Sequence, residues 1–495
     1  MHNGIEISEK RSSFSVYAAV FVPAALIAVM FIAFDQTAFG SNTLGAIGTE
    51  AAVFGAVACI ACGAVLQLRG KLDADKIIAL LLLIGFFVKL GYVIRCPYTS
   101  RQHDVEFLSS NGHLKYIYQL AEGEGLPATN NWQFCHPPLH HFIASVLVRM
   151  SRVMGQTDEC AFENIQLLTL LYSYITTVIW CKIFRESGIS KGALYAVCAV
   201  TALHPTFTIL AGSINNDVLT VMLSSAAVLY LMRWHRTPAC KYALIIGACT
   251  GLAMMTKFSA ALIAAVIGIS VLIKFICDKE YKLKSFLGQA VAFLAVCLPL
   301  GLWYSIRNMI KFGQPIGYVA PLSTESALYT GNTSLLQRFL IIPSEELAKL
   351  FCAPFDDTNI IAYTVRCSVF GEYKWSNETA CAILLILNII MIISAVACAV
   401  AVLVRKKGFV NEPSRVFGIL WIIQLVFFAY FYLSAPFGCT MDFRYIVPAM
   451  LANLGLFGMC LDSMQTSPKK SVRFGFDALC ALCTAFCIFG TAALI

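Results

Sequence analysis

The chain has 495 residues, of which 59% are hydrophobic and only 13% are charged. Together with a mean hydropathy of +0.74, this composition excludes a set of soluble domains and is typical of a polytopic membrane protein. In such a protein, lysine and arginine residues mainly reflect its orientation in the membrane. The net charge of +8 therefore does not indicate a nucleic-acid partner, and we expect none.

Thirteen apolar runs, most of them about 20 residues long, predict an all-α polytopic helical bundle that forms one membrane domain over residues 1–495. The seventh run is short for a membrane span. The last four runs form a C-terminal group of helices within 379–495. The predicted spans are 15–34, 46–68, 76–95, 163–184, 190–211, 216–234, 241–256, 258–277, 285–305, 379–404, 415–434, 443–461 and 474–494.

Lysine and arginine residues predict the orientation of the bundle, because loops rich in them stay in the cytoplasm. With thirteen spans, the basic loops all fall on one side and the C-terminus lies outside. We therefore expect an integral protein of the plasma membrane whose long loops face the outer side. The basic residues are Lys10, Arg11, Arg69, Lys71, Lys76, Lys182, Arg185, Lys191, Arg233, Arg236, Lys241, Lys274, Lys279, Lys282, Lys284, Arg405, Lys406, Lys407, Arg415, Lys469, Lys470 and Arg473.

Two long loops, 96–162 and 306–378, lie on the opposite side from the basic loops. Both contain apolar residues at helical spacing, which predicts interfacial helices that lie along the membrane surface. The residues are Leu114, Ile117, Tyr118 and Ala121, then Leu139, Ile143, Leu147 and Met150, and in the second loop Leu335, Phe339 and Ile342.

The first of these loops holds five of the eight histidines and the first carboxylate after the third span. That carboxylate, Asp104, follows Arg101 and His103, which are candidate substrate-binding residues. One interpretation makes Asp104 a general base at the membrane surface. The alternative is a solvated loop aspartate.

The segment Trp132–His141 reads WQFCHPPLHH, in which two prolines fix an extended chain before a helical pattern begins. His136, His140 and His141 would gather at the start of that helix. With Asp104 they would suit a divalent metal. The alternative is a set of histidines that hold the loop to itself through hydrogen bonds.

Outside the first loop, one acid and three cations stand at the outer ends of spans. Asp217 either begins a helix or presents a second acidic group to the site. Lys257 lies on the outer side, against the general bias, and either binds a ligand or extends to the interface. With Arg307 and Arg444 it forms a set of cations suited to the phosphate of a lipid headgroup.

The second loop adds a further group of polar residues that suits either an acceptor or sugar site or a solvated face. The group consists of Asp356, Asp357, Glu372, Lys374 and Trp375.

Taken in order, the motifs resemble those of the GT-C membrane glycosyltransferases, and within them the protein O-mannosyltransferase and aminoarabinose-transferase group (glycosyltransferase family 39-like). The resemblance covers roughly residues 76–460. The matching pieces are His103-Asp104, Gly112-His113-Leu-Lys-Tyr-Ile with Leu126-Pro127, His136-Pro-Pro-Leu-His-His141, Asn216-Asp217-Val-Leu, Gly251-Leu-Ala-Met-Met-Thr-Lys257, Tyr304-Ser-Ile-Arg307-Asn and Arg444-Tyr-Ile-Val-Pro448.

The resemblance implies a GT-C-like fold and an inverting transfer of a sugar from a polyprenyl-phosphate-linked donor on the outer face of the membrane. The acceptor would be a hydroxyl of a glycan, lipid or protein. The acidic residue of the family's first loop corresponds to Asp104. The family often has adjacent acidic residues there, whereas this chain has His103 before a single aspartate, which leaves the acceptor class and a divalent metal open.

Two other functions fit a bundle of this kind. A transporter of a lipid-linked or anionic substrate would usually place its site near the middle of the membrane between repeats, whereas this sequence has few mid-span charges and no evident repeat. A lipid-carrier binding or assembly protein would keep the cations but would not need Asp104. Sugar transfer from a labelled donor distinguishes the three.

Overall fold

The computed structural model describes residues 13–33, 42–105, 110–405 and 412–494. Four basic residues of the orientation argument lie outside these ranges, namely Lys10, Arg11, Lys406 and Lys407. Glu106, the carboxylate nearest to Asp104 along the chain, also lies outside them.

The described residues form α-helices joined by loops, without a β-strand among them. The helices are α1 (Ser13–Ala33), α2 (Asn42–Leu68), α3 (Ala74–Arg95), α4 (His113–Glu122), α5 (Leu139–Val153), α6 (Asp158–Glu186), α7 (Lys191–Leu203), α8 (Pro205–Ala211), α9 (Asp217–Arg236), α10 (Cys240–Met254), α11 (Ala261–Cys277), α12 (Leu283–Phe312), α13 (Leu335–Phe339), α14 (Ser344–Leu347), α15 (Ile360–Phe370), α16 (Glu378–Val404), α17 (Glu412–Ser434), α18 (Val447–Gln465) and α19 (Lys470–Leu494).

Within the described ranges, eleven helical segments are long and apolar enough to cross a membrane. They confirm the predicted all-α membrane bundle and include the continuous pair α7–α8. The first and seventh predicted spans correspond to shorter apolar stretches, Ala19–Ala33 and Cys240–Met254. The count of thirteen spans therefore stays a prediction.

The exposed side chains of α12 show why such helices need a bilayer. Leu287, Val291, Leu294 and Leu298 recur at helical spacing and are all exposed. A neighbouring face of the same helix buries Tyr304 and Asn308. Since an exposed apolar stripe of this length is unfavourable in water, this face of α12 is suited to lipid.

Helix starts in the bundle follow from capping side chains. Asp73 accepts a hydrogen bond from the backbone N–H of Lys76 at 3.0 Å and begins α3. Thr157 accepts from Cys160 at 3.3 Å and begins α6, whose first turn is acidic. Such caps satisfy backbone N–H groups that have no partner within the helix.

The fifth predicted span is divided at His204 into α7 and α8. Pro205 follows the break, and the His204 Nδ1 atom accepts from the backbone N–H of Thr206 at 3.2 Å. The buried Lys89 of α3 donates to the carbonyl of Ala202 at 2.7 Å, where the carbonyl end of α7 favours a cation. A broken helix inside a bundle requires substitutes of this kind for the missing backbone bonds.

Two helices extend further into the long loops than predicted. The helix α12 continues to Phe312, so that Arg307 and Lys311 lie on a helix rather than in the loop, and α6 begins at Asp158. The loops observed are 96–157 and 313–377, and we call the end of the bundle that carries them the long-loop end. The interfacial helices predicted in the first loop correspond to α4 and α5, whereas α13 in the second loop has only five residues.

Candidate active site

Arg444 lies between carboxylates from three segments at the long-loop end. Its Nε atom donates to Asp442 Oδ2 at 2.7 Å, and its Nη1 atom lies 3.3 Å from Asp217 Oδ2. The same Nη1 atom lies 3.9 Å from Asp104 Oδ2. Asp442 also accepts from the backbone N–H of Arg444 at 2.8 Å, which begins the 3-10 helix Phe443–Ile446. One guanidinium thus joins three distant parts of the chain.

Asp217 and Lys257 form a buried ion pair beside Arg444. The Lys257 ammonium donates to Asp217 Oδ1 and lies 4.8 Å from the centre of the Tyr445 ring. Asn216 donates to the carbonyl of Thr256 at 2.8 Å and fixes the two turns against each other. Asp217 is therefore both the first residue of α9 and an acidic group that faces the cations.

The two cations retain donor capacity for an anionic ligand. A lysine ammonium has three N–H donors and a guanidinium has five. Asp217 takes one donor of Lys257, and within the described part of the chain the Nη2 atom of Arg444 has no protein acceptor. A phosphate is an anion of suitable geometry for the remaining N–H groups.

Asp104 is the accessible carboxylate of the group. Its side chain is 35% exposed, whereas those of Asp217 and Asp442 are buried. The 3.9 Å approach to Arg444 is its one ion pair among the described residues. Its oxygen atoms are therefore available to a substrate hydroxyl.

The backbone at Asp104 is held in a conformation that non-glycine residues rarely adopt, with φ = 56°. The backbone N–H of His113, at the start of α4, donates to the carbonyl of Asp104 at 2.9 Å. Gln102 donates to the carbonyl of Gly212 at 2.8 Å and accepts from the N–H of Ile214 at 3.0 Å. These bonds tie the Asp104 turn to the segment that leads into Asp217, and they offset the cost of the strained backbone.

A second polar cluster lies behind Asp442 and joins the two long loops. His103 Nδ1 lies 3.2 Å from Glu372 Oε2, and Tyr363 donates its hydroxyl to Glu372 Oε1 at 2.5 Å. Ligand atoms of His103, Glu372 and Asp442 all lie within 4.8 Å of one another. The structure thus gives Glu372, a residue of the second-loop group, a place beside the site.

The residue types in this cluster suit a divalent metal, but the hydrogen bonds that Asp442 already makes leave no place for one. Asp442 Oδ1 accepts from the backbone N–H of Arg444 and from the Cys367 thiol at 3.2 Å, and Oδ2 accepts from Arg444 Nε. An ion there would have to displace a bonded cation from a buried carboxylate. The cluster therefore does not fit a divalent metal, and the positive charges beside it are those of Arg444 and Lys257.

The histidines of the first loop form a stack of rings among themselves. His113 Nδ1 lies 2.9 Å from His141 Nε2, and Tyr116 stacks on His141 with ring centres 4.1 Å apart. His136 stacks on His113 at 5.9 Å. His140 Nε2 lies 2.7 Å from the carbonyl oxygen of Ile214 and must donate to it, because a carbonyl only accepts. The contacts favour the interpretation that these histidines hold the loop.

Burial keeps these histidines neutral. Desolvation lowers the pKa of His136 to about 3 and that of His140 to about 4. The pKa values of His113 and His141 are well below the ordinary value, first because of burial and second because of neighbouring histidines. Neutral rings of this kind are structural hydrogen-bonding groups at physiological pH.

Two predicted binding residues have their main contacts elsewhere. The Arg101 guanidinium lies 4.1 Å from the centre of the Trp375 ring and donates to the Cys96 sulfur at 3.1 Å. Arg307 donates to the carbonyl of Pro127 at 2.8 Å and to Asn308 Oδ1 at 2.7 Å. The structure thus brings together Asp104, Asp217, Lys257 and Arg444, while Arg101 and Arg307 brace the loops.

Three residues of the site had no role in the sequence argument. Asp442 precedes Arg444 by two positions and pairs with it. Gln102 stands between Arg101 and His103, and no pattern distinguishes a glutamine that clamps a loop from a solvated one. Tyr445 follows Arg444, and its aromatic face beside Lys257 becomes visible only in three dimensions. A cation over an aromatic ring is stabilised by the ring's negative face.

The fold and the site together define a class: a polytopic all-α membrane protein with a polar, ion-paired site at one end of the bundle. Residues 135–303 match the family model described as dolichyl-phosphate-mannose-protein mannosyltransferase. This match confirms the resemblance to the membrane glycosyltransferases. The matched segment contains the first-loop histidines from His136 onward, Asp217 and Lys257, while Asp104, Arg307 and Arg444 lie outside it. A comparison with curated protein sequences gives no match.

The solved structures to which the chain is similar include a protein O-mannosyltransferase, ArnT and an oligosaccharyltransferase. The S. cerevisiae protein O-mannosyltransferase Pmt1–Pmt2 complex bound to the sugar donor shares 15% identity over 51% of this chain, with a TM-score of 0.36. ArnT from Cupriavidus metallidurans shares 14% over 84%, with a TM-score of 0.48. The Archaeoglobus fulgidus oligosaccharyltransferase shares 14% over 84%, with a TM-score of 0.47. The chain spans 35%, 76% and 55% of these proteins, respectively.

Proposed function

We propose that this protein is an inverting glycosyltransferase that moves a sugar from a polyprenyl-phosphate-linked donor to an acceptor hydroxyl at the outer face of the plasma membrane. The observation that carries the proposal is the pairing of an accessible carboxylate, Asp104, with the Arg444–Asp217–Lys257 cluster. The family match over residues 135–303 supports the same donor class.

In this mechanism, the remaining N–H groups of Lys257 and Arg444 bind the donor phosphate. As the bond between the sugar's anomeric carbon and the phosphate oxygen breaks, negative charge grows on the phosphate. Hydrogen-bond donors of the protein that are already oriented toward that charge stabilise it without reorganisation. The carboxylates of Asp217 and Asp442 hold the two cations in place before the donor arrives.

Asp104 acts on the other reactant. The acceptor oxygen attacks the anomeric carbon from the face opposite the phosphate and loses its proton to Asp104. The products are the glycosylated acceptor and the polyprenyl phosphate. A carboxylate within hydrogen-bond reach of the acceptor hydroxyl is a suitable general base for this proton.

Arg307 is proposed as a positioning residue. Its bond to the carbonyl of Pro127 fixes the first loop against α12. A direct contact of Arg307 with the donor phosphate stays a prediction.

The test replaces Asp104 with asparagine, which preserves the shape and removes the charge. We expect donor binding to persist and transfer to fall by about 10²–10⁴-fold, the usual contribution of a general base. Glu124→Gln, an exposed carboxylate of the same loop, is the matched control and should transfer at the normal rate.

The variant Glu106→Gln tests whether Glu106, rather than Asp104, is the general base. Normal transfer by Asp104→Asn combined with loss in Glu106→Gln would assign the role to Glu106. If purified wild-type protein moved the lipid-linked donor across the membrane without forming a glycosylated product, it would be a transporter. Donor binding with neither product nor movement would indicate a lipid-carrier binding protein.

A further inference from the structure

A second candidate site lies inside the C-terminal half of the bundle. It is a cavity of about 360 Å³ between α15, α16, α17 and α18. Its walls are almost entirely apolar and include Met391, Trp421, Phe428 and Met450. A cavity of this character takes a hydrocarbon group and excludes a charged one.

Two residues that line the cavity are exposed at the side of the bundle. Val396 of α16 and Leu425 of α17 both line it, and they are 36% and 39% exposed. Because both helices are long and apolar enough to cross a membrane, an opening between them would face lipid. Ile361 lines the cavity near the long-loop end and is also exposed.

One turn of helix separates the cavity from the cation cluster. Phe443 and Ile446 line the cavity, whereas Arg444 and Tyr445 of the same 3-10 helix face Asp217 and Lys257. A chain in the cavity therefore approaches the site from the side of this turn opposite to the phosphate-binding cations. This turn would separate such a chain from a donor lipid with its phosphate at Lys257, as the proposed function requires.

The cavity also has a polar atom to orient an occupant. The side-chain oxygen of Asn453 is buried without a hydrogen-bond partner in the described part of the chain. By contrast, Asn388 donates to Val365 and Ser368, and Thr364 donates to Met441. An unpaired buried acceptor is costly, and a hydroxyl or amide N–H on a lipid would satisfy it.

We infer that this cavity holds the hydrocarbon chain of a lipid-borne acceptor, so that two lipid-linked substrates meet at Arg444 from opposite sides. The inference rests on the proposed function and adds the acceptor class. The sugar's bond to the donor phosphate breaks, its bond to the acceptor-lipid oxygen forms, and the acceptor's proton goes to Asp104. The glycosylated product then leaves sideways into the bilayer.

The first test is photolabelling of the purified full chain in lipid nanodiscs. One probe is a diacyl phospholipid with a diazirine on an acyl chain, and the other is a polyprenyl phosphate with a diazirine in its tail. We expect saturable labelling of cavity residues by the phospholipid probe and no labelling there by the polyprenyl phosphate. Cavity labelling by the polyprenyl phosphate, or by neither probe, overturns the inference.

A matched pair of variants connects the cavity to the reaction. Val396→Trp narrows the opening, whereas Val400→Trp adds the same bulk one helical turn away at a lipid-facing position that is 47% exposed. With total membrane lipid of the source cells as the acceptor pool, we expect sugar from the labelled donor in the lipid extract. Val396→Trp should lower this product by roughly 10²-fold, as expected for a misplaced reactant, while Val400→Trp leaves it unchanged.

Two further outcomes separate this inference from the proposed function. Labelled sugar found only on protein or on soluble glycan, with normal donor binding, would overturn the lipid acceptor and leave the glycosyltransferase intact. Failure of the wild-type protein to bind polyprenyl phosphate or to transfer sugar to any acceptor would instead overturn the proposed function.

Discussion

Replacing Asp217 with asparagine tests whether the buried ion pair is the centre of the site. Asparagine keeps the shape of the side chain at the start of α9 but removes the charge that faces two cations. Arg444 retains Asp442 at 2.7 Å. Lys257 loses its one carboxylate partner among the described residues.

The expected cost follows from the burial of the pair. Removing one member of a buried ion pair typically costs about 3–5 kcal/mol, because the other charge stays desolvated. The Lys257 side chain is 13% exposed, and asparagine still offers an acceptor oxygen. We therefore expect the free energy of unfolding to fall by about 3 kcal/mol, at the lower end of that range.

Although Asp217→Asn should lower the free energy of unfolding, it should raise the affinity of the site for an anion. Three carboxylates, Asp104, Asp217 and Asp442, face the two cations Lys257 and Arg444, which leaves one negative charge in excess. Asp217→Asn removes that excess, while the asparagine oxygen still accepts from Lys257 and Asp442 still holds Arg444 in place. Polyprenyl phosphate should therefore bind the variant at least as tightly as the wild type and restore part of its stability.

The assay is a double-mutant cycle with Lys257→Met, in which SDS titration in mixed micelles measures the free energy of unfolding. Because the double variant leaves no unpaired ammonium, it should be more stable than the sum of the two single effects predicts, by about 2–3 kcal/mol. Additive single effects would refute the ion pair as a stabilising contact. Weaker binding of polyprenyl phosphate to Asp217→Asn would refute the electrostatic argument for phosphate binding.

Four further predictions follow from other contacts. Gln102→Leu should lower transfer with little change in donor affinity, because the Asp104 turn loses both bonds to Gly212 and Ile214. Gln102→Glu keeps only the side-chain oxygen that accepts from Ile214, so its activity should lie between those of the wild type and Gln102→Leu. Equal activity of all three proteins would refute a positioning role. His140 has a folded-state pKa of about 4 against an ordinary 6.5, so its contribution to stability is complete above pH 6.5 and is lost as the pH falls toward 4, by about 2 kcal/mol at pH 5. His140→Gln, which keeps a donor for Ile214, should flatten the stability difference between pH 7 and pH 5, and an unchanged difference would count against a buried neutral ring. Transfer should persist in EDTA, since the oxygens of Asp442 are already bonded to Arg444 and Cys367, whereas loss of activity that Mn²⁺ restores would reveal a metal at His103–Glu372–Asp442. Reporter fusions after Lys406 and after Ile495 should lie on opposite sides of the membrane, and signals from the same side would contradict the thirteen-span topology.

The sequence by itself determined the class of fold. Long apolar runs have one stable form in a bilayer, since a helix satisfies every backbone group internally. The helices α4 and α5 of the first loop likewise follow from the local apolar spacing. The division of the fifth run at His204, before Pro205, was not predicted from the sequence and is seen only in the structure. The ordered motifs also led to the glycosyltransferase resemblance, which the family match over residues 135–303 confirms.

Only the tertiary structure decided which polar residues form one site. Asp217 meets Lys257 across 40 residues and Arg444 across 227, and no periodicity encodes contacts at such separations. Arg307 resembles Arg444 in the sequence, yet it bonds to Pro127 because α12 continues to Phe312 and keeps Arg307 on its surface. The separation of the apolar cavity from the cations depends on which side chains of Phe443–Ile446 face each way. Local sequence determines how each helix forms, but the contacts between helices depend on how the whole bundle packs, and those contacts define this site.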